Sequence, residues 1–509
     1  MSSTPEASGD EAQPAGGPNV PQPEGDSLDP ADWQAYRDLA HRAVDSMFDY
    51  QEGIRAEPAW RQVPEELEAE YRAPAPSHPE GIESAYRDFE RLVRPFPTGN
   101  AHPRFWGWVP GQGTPGGIIA ALLAGGLNTV AGQFNDGPSR VHDQVIDWLI
   151  DAMGLPAGSS GILTSGGSVA NLVGIAAGRD ARAGFDSVDC GLSSGPALRL
   201  YASEQVHNSV TKAAQLLGLG QSGVALIPVD DQYEMRLDAL VQKIRADRAA
   251  GLRPFAIVGN AGAVNTGATD DLEALADIAA DEGLWFHVDG AFGAIAALSE
   301  ELLPLVRGLG RADSLAFDLH KWTSVPYDVG CVLVRDADAH RRSFTVAASY
   351  LEALDRGAAA RTNPTSARGL QLSRGFRALK VWMSIKEHGM LRFGEVAAKC
   401  VRQAKRFGRL LDDHSELELM APVPMCIVCF RFAPTGVGDE ELDHINREIL
   451  MRLQEQGIAV PSSTTISGRF ALRVANTNHR SRDEDFEVLA TETVRLGHEL
   501  LGEGSEARR

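Results

Sequence analysis

Two residues, each closing an apolar run, are the best placed in this sequence to do chemistry. Leu284-Trp-Phe-His-Val-Asp-Gly-Ala291 ends its apolar stretch on Asp289, and Ser314-Leu-Ala-Phe-Asp-Leu-His-Lys-Trp322 carries Lys321 just past Phe317. A lysine at the end of a buried strand is costly while charged, so burial lowers its pKa, and the neutral amine attacks carbonyl groups. A carboxylate at a second strand end can hold a pyridine nitrogen protonated, which lets the ring draw electrons. With a glycine-rich turn before both, the pair outlines a site for pyridoxal 5'-phosphate. Lys321 forms the Schiff base and Asp289 partners the ring nitrogen.

Other stretches offer supporting groups. Gly161-Ile-Leu-Thr-Ser-Gly-Gly-Ser-Val-Ala-Asn-Leu172 reads as a small-residue turn entering a helix with Val169, Leu172, Val173 and Ala176 on one face. The free N–H groups at that start, with the Ser168 hydroxyl, suit a phosphate dianion. His207 follows an apolar run closely enough to lie flat on a cofactor ring. Phe105, Trp106 and Trp108 fall in a Pro/Gly-rich loop, which reads either as a satellite core cluster or as one wall of a substrate pocket. Gly111-x-Gly-x-x-Gly116 and Gly218-x-Gly-x-x-Gly223 match a dinucleotide pattern, but neither has the strand–turn–helix context followed by an acid. Cys426 and Cys429 sit three apart in a strand-like run with no second pair, which excludes a metal or redox motif there.

These residues need a scaffold, and the pattern between 197 and 336 supplies one. Strand-like runs at Leu198–Ala202, Val224–Val229, Phe255–Gly259, Leu284–Val288, Leu315–Phe317 and Gly330–Val334 alternate with helical runs such as Leu272–Glu282. That rhythm predicts an α/β fold with a mostly parallel sheet, whose ligands sit beyond the carboxyl ends of the strands. Residues 1–27 are rich in Pro, Gly, Ser, Glu and Asp and read as a disordered tail. Helices are expected from Asp29-Pro30, as cap and first turn, to Met47, and over Ile82 to Val93, so that 28–98 forms a helical segment. The expected large cofactor-binding domain covers 99–380, and a small α+β domain covers 381–509. Residues 352–372 read as a long mobile loop of the kind that forms lids.

Composition narrows the function. The chain has 509 residues, with 48 basic against 69 acidic and a net charge of −21, which argues against nucleic acid or an anionic membrane surface as partner. Five scattered cysteines do not make a disulfide framework. No signal peptide is read at the start, and the longest apolar run, Gly116 to Leu127, is too short to span a bilayer. A soluble, cytoplasmic enzyme is expected.

His102-Pro-Arg-Phe105, Thr164-Ser-Gly-Gly-Ser168, His207, His287-Val-Asp289, His320-Lys-Trp322 and Tyr327-Asp328, in this order and spacing, resemble the group II pyridoxal phosphate-dependent amino-acid decarboxylases. That family includes the aromatic-L-amino-acid, histidine and glutamate decarboxylases, and the likeness runs from about residue 30 to 500. It implies the aspartate-aminotransferase-like fold (type I), with a seven-stranded sheet in the large domain, and a homodimer with its active site at the interface. By the same resemblance Lys321, Asp289 and His207 are catalytic. Gly167, Ser168 and His320 attend the phosphate, Ala291 packs on the ring face opposite His207, and Asn265 lies near a cofactor oxygen. The implied reaction is decarboxylation of an L-amino acid to its amine, through an external aldimine that displaces Lys321. The aromatic loop tilts the substrate towards an aromatic or bulky apolar side chain. Four departures stand out. Residues 352–372 hold no Tyr or Phe where relatives place a tyrosine thought to protonate Cα, Gly111 replaces a hydroxyl residue, His142 a glutamate and Asp318 an asparagine. They keep open a non-decarboxylative outcome: oxidative deamination to an aldehyde, transamination or retro-aldol cleavage.

Overall fold

The computed structural model describes residues 27–346, 354–361 and 363–507. Most of the tail read as disordered, and positions 352, 353 and 362 of the loop read as mobile, lie outside the described residues. By internal contacts the chain divides into residues 1–50 and 51–509. In the first, a helix begins at Trp33, and the Asp32 carboxylate caps it by accepting from the N–H groups of Gln34 (2.9 Å) and Ala35 (3.1 Å). The start expected at Asp29-Pro30 is displaced because Asp32 is the residue whose side chain reaches the first free donors.

In the second unit, seven strands form one sheet: β1 (Ser160–Thr164), β2 (Leu198–Ser203), β3 (Val224–Ile227), β4 (Arg253–Asn260), β5 (Trp285–Asp289), β6 (Ser314–Asp318) and β7 (Gly330–Val334). Their spatial order is β1-β7-β6-β5-β4-β2-β3. Strand β7 runs antiparallel to both β1 and β6, and the other pairs are parallel. Both faces are covered, so the strands read as continuous apolar runs. Leu315 and Phe317 enter one core with Ile257 and Phe286, while Ala316 enters the opposite core with Val258 and Trp285, as the two-residue period of a strand requires.

A second, antiparallel sheet has the order β10-β11-β9-β8, from β8 (Leu417–Leu419), β9 (Ile427–Phe432), β10 (Ser462–Ile466) and β11 (Arg469–Ala475). The helices Met390–Asp412, Asp439–Glu455 and Asp483–Ala507 cover it, with Phe407, Phe430, Phe432, Ile449 and Leu489 in the shared core. Cys429 lies on β9 and is buried, as is Cys426 before it, and no metal-holding cluster exists among the described residues.

Part of the stretch 352–372 is tied down. Arg361 donates to the Gly132 carbonyl (3.0 Å) and to Asp143 (2.9 Å), and the Thr365 N–H donates to the same Gly132 carbonyl (2.9 Å). Arg368 and Arg374, both buried, donate to the carbonyls of Gly161 (3.1 Å) and Leu163 (2.6 Å), which lie on the edge strand β1. Two guanidinium groups thus occupy edge carbonyls that another chain could otherwise pair with. The reading of a free loop fails around 361–374 because Arg361, Arg368 and Arg374 are committed to backbone acceptors.

Arg473 on β11 joins the two sheets where it matters. Its buried guanidinium donates to the carbonyls of Trp108 (3.0 Å), Asn265 (3.2 Å) and Val264, and to the Ser462 hydroxyl (3.1 Å). One side chain of the small sheet therefore pins two loops of the large one. Arg473→Met keeps the bulk but strands these acceptors, and each buried unpaired acceptor costs on the order of 1–3 kcal/mol. Urea unfolding should show a loss of about 3 kcal/mol or more.

Candidate active site

The strand register brings the chemistry-bearing residues to one end of the sheet. Asp289 closes β5 opposite Asn260 of β4, and Asp318 closes β6 opposite Gly330, which opens β7. Gly330 also faces Thr164, the last residue of β1 before the helix Gly167–Arg182. All of these are carboxyl ends of strands, apart from β7, whose direction is reversed. Beyond β6 the turn delivers His320 and Lys321.

Lys321 is one-fifth exposed, and its Nζ lies 3.0 Å from Asp318 Oδ2. His320 Nε2 stands 3.7 Å from the same oxygen. His320 Nδ1 accepts the Val329 N–H (3.2 Å), which places its proton on Nε2. Burial lowers its pKa, partly offset by Asp318. Its ring packs on Tyr327, with centroids 4.4 Å apart.

Asp289 is 5% exposed and is held by neutral donors. Asn171 Nδ2 donates to its Oδ2 (2.8 Å) and the Ala291 N–H to its Oδ1 (3.1 Å). Asn171 is the hub of a longer chain of hydrogen bonds. Its amide also donates to Ser209 Oγ (2.9 Å), and its carbonyl oxygen accepts from His287 Nε2 (2.9 Å). The Trp285 indole donates to Ser314 Oγ (2.7 Å), and the Ser314 hydroxyl donates to His287 Nδ1 (2.7 Å). The Ser209 hydroxyl and N–H both donate to His207 Nδ1, at 2.8 and 3.2 Å. The Ser209 N–H can only donate, so Nδ1 is the acceptor and His207 keeps its proton on Nε2. Burial lowers the His207 pKa, with the charges of Asp289 and Asp318 opposing the shift and that of Lys321 adding to it.

The helix Gly167–Arg182 begins beside this cluster. A β-carbon at Gly167 would lie 3.0 Å from Asp318 Oδ2 and 3.5 Å from Ala291 Cβ, so a side chain there would crowd the carboxylate. Ser168, next on the helix, is exposed. Asn265 is placed in the loop pinned by Arg473. Its amide donates to Gln205 (3.3 Å) and its side-chain oxygen accepts from Thr464 (3.2 Å).

The aromatic loop divides. Phe105 and Trp106 do not form a pocket wall: they are 1% and 0% exposed, the Trp106 indole donates to Ser481 Oγ (3.0 Å) and its ring stacks on Phe486 at 4.7 Å. Trp106 enters the core of the small sheet, and Phe105 packs with Ala59 and Val460. Trp108 alone of the three is exposed, at 63%. Gly111 lies against the reactive turn, where a β-carbon would come within 1.6 Å of the His320 carbonyl oxygen. No hydroxyl side chain fits at that position. The Gly111 N–H instead donates to the Tyr327 hydroxyl (3.0 Å), which brings a different hydroxyl to the same place.

Sequence reading gave no role to Asn171, Ser209 or Ser314, and it took Tyr327 only as part of the family pattern. For Asn171 a signal existed, an amide among the apolar and small residues of a helix entry. Ser209 lies two residues past His207 but shows its bond only once His207 caps the following helix, and Ser314 carries no signal until the fold brings it next to His287.

The residues present suit pyridoxal phosphate. They comprise a buried carboxylate, an imidazole N–H, an amine at the end of the neighbouring strand, and a glycine cradle at a helix start. The pyridoxal-dependent decarboxylase conserved domain matches residues 64–433. An aromatic-L-amino-acid decarboxylase of Bacillus atrophaeus is 30% identical over 471 residues, covering 91% of this chain and 96% of the relative. A phenylacetaldehyde synthase of Arabidopsis thaliana is 28% identical, covering 93% and 99%. The crystal structure of Oryza sativa TDC with PLP and tryptamine superposes with a TM-score of 0.85 at 26% identity, covering 93% of this chain and all of that one.

His287 gives a pH test of the buried network. It is wholly buried and its pKa is lowered to about 4 by desolvation. A base with a depressed folded pKa stabilises the fold in its neutral form, fully above about pH 6.5 and less as pH falls towards 4. Stability measured by urea titration should decline through that window, by up to about 3 kcal/mol from this residue. His287→Gln, which keeps an N–H donor for Asn171, should flatten part of the slope.

Proposed function

This chain belongs to the family of pyridoxal-dependent decarboxylases, and from that premise we propose that it decarboxylates an aromatic or bulky apolar L-amino acid at Lys321. The protein is a pyridoxal phosphate-dependent carboxy-lyase with an amino-acid substrate. The observation carrying the assignment of residues is the convergence of Lys321, Asp289 and His207 at one sheet end, with the start of the 167–182 helix beside them. When bound, the cofactor supplies an aldehyde for amines and a protonated pyridine that receives the electron pair of the breaking Cα–carboxylate bond.

The residues divide the work. Lys321 tethers the cofactor and later releases the product. Asp289, itself fixed by Asn171 and Ala291, holds the proton on the pyridine nitrogen. His207, with its proton on Nε2, would hold one face of the ring and offer that proton to the substrate carboxylate, and Ala291 would back the other face. Gly167 and Ser168 would receive the phosphate at the helix start, with His320 helping to hold it, and Asn265 would attend a ring oxygen. Trp108 stays as the exposed aromatic for the substrate side chain. The relatives named for aromatic amino acids support that choice.

The assembly belongs to the same proposal. On the helix Pro115–Leu127, Ile119, Leu122, Leu123 and Leu127 are 44, 58, 47 and 63% exposed and share one stripe. Such a stripe beside Gly111 suits burial against a second copy of the chain. A homodimer with its active site at the interface follows, working in the cytoplasm. The proposed division is 28–98, 99–380 and 381–509. No helix among the described residues is long and apolar enough to cross a membrane.

A second reading has its own support. Residues 352–372 offer no tyrosine, and one relative is named a phenylacetaldehyde synthase, so oxidative deamination to an aldehyde is the rival outcome. Incubation with L-tryptophan, L-tyrosine and L-phenylalanine should release carbon dioxide and the amine in equal amounts. Aldehyde with ammonia would favour the rival. Lys321→Ala should lose the visible absorbance of bound cofactor and lower turnover by about a thousandfold or more, with an unchanged circular dichroism spectrum. Light scattering should report a dimer, and Leu122→Glu with Leu123→Glu should give monomers.

A further inference from the structure

The Asp318 carboxylate stands where a phosphate is expected to arrive, and it already holds the amine that must react. Its Oδ2 lies 3.0 Å from Lys321 Nζ. Its Oδ1 is buried with no hydrogen-bond partner among the described residues, and the residue is 2% exposed. Glycines crowd it: a β-carbon would come within 3.0 Å of Oδ2 at Gly167, and within 2.7 and 3.7 Å of Oδ1 at Gly330 and Gly166. The carboxylate therefore abuts the start of the 167–182 helix, whose free N–H groups attract anions. Under the function proposed above, the cofactor's phosphate takes that same helix start. Two adjacent anions repel, and the repulsion is relieved when one gains a proton. The Lys321 ammonium, for its part, is no nucleophile until it loses one.

We propose that Asp318 accepts the proton of Lys321 as the cofactor is captured. An N–H bond of the ammonium breaks, an O–H bond forms on Oδ2, and the electron pair left on Nζ is free to attack the aldehyde carbon. An ammonium–carboxylate pair becomes an amine–carboxylic acid pair, so charge is conserved and no outside base is required. The same transfer turns Asp318 from a rival of the phosphate into a hydroxyl donor to it. The other groups around it offer no competing acceptor. His320 Nδ1 is occupied by the Val329 N–H, and His207 Nδ1 by Ser209. Tyr327 and Cys331 are kept protonated by burial, with the Asp318 charge acting the same way. Asp289 is engaged by Asn171 and Ala291.

The inference rests on the assignment of Lys321, and its test separates the two. Holoenzyme stripped of cofactor is mixed with pyridoxal 5'-phosphate from about pH 6 to about pH 9, and covalent capture is followed by visible absorbance. Equilibrium binding of pyridoxine 5'-phosphate, which has an alcohol in place of the aldehyde, is measured alongside. Asp318→Asn should slow capture about tenfold or more near neutral pH, recover as pH rises, and bind the alcohol analogue at least as tightly as the parent. Capture at the parental rate with the parental pH profile would overturn the proposal. So would slow capture matched by an equal loss of analogue affinity, which would make Asp318 a support of the phosphate site. Failure of the parent protein to capture cofactor at all would strike the assignment of Lys321 instead.

Discussion

Asp289, a carboxylate buried at the end of a strand and held by neutral donors, is the constraint around which this protein is built. Its oxygens take hydrogen bonds from an amide side chain and a backbone N–H. A buried charge tolerates that arrangement only when the donors themselves are fixed. Asn171 is fixed because its other bonds are spoken for, by Ser209 on one side and His287 on the other. The consequence is a line of donors and acceptors from Trp285 to His207 that specifies the protonation of two histidines as well as the place of the acid.

Much of this was legible in the sequence, and the limits have physical causes. The strands β2 to β7 announce themselves because both faces are buried, which forces continuous apolar runs. Gly330–Val334 and Leu272–Glu282 were readable to the residue. Strand β1 was hidden because its five residues include Ser160 and Gly161 and run straight into a glycine turn. The helix Met390–Asp412 was hidden by its charge, since its apolar stripe alternates with many basic residues. Asp289, Lys321 and His207 carried enough signal in type and position to be named. The network that fixes them did not, because serine and asparagine acquire meaning only from neighbours more than a hundred residues away in two of its bonds. The aromatic loop misled over Phe105 and Trp106, whose burial depends on a sheet contributed by the last quarter of the chain.

The two sheets have different tasks, and the join between them is electrostatic as well as apolar. Arg473 reaches from β11 to the loops carrying Trp108 and Asn265, so the position of the exposed aromatic depends on a residue of the other sheet. Burial depresses the pKa of this guanidinium, while its carbonyl partners carry no charge. The small sheet thus spends a desolvated cation to fix the shape of the large sheet's mouth.

The contact between Gly111 and the His320 carbonyl has an implication for anyone redesigning the enzyme. Libraries aimed at substrate preference commonly begin with loop positions that face a ligand. Here saturation at 111 would yield mostly misfolded clones, because any β-carbon drives the loop off the turn that bears the reactive amine. The phenol at 327, bonded to the same backbone and lying against His320, braces that turn from its other side.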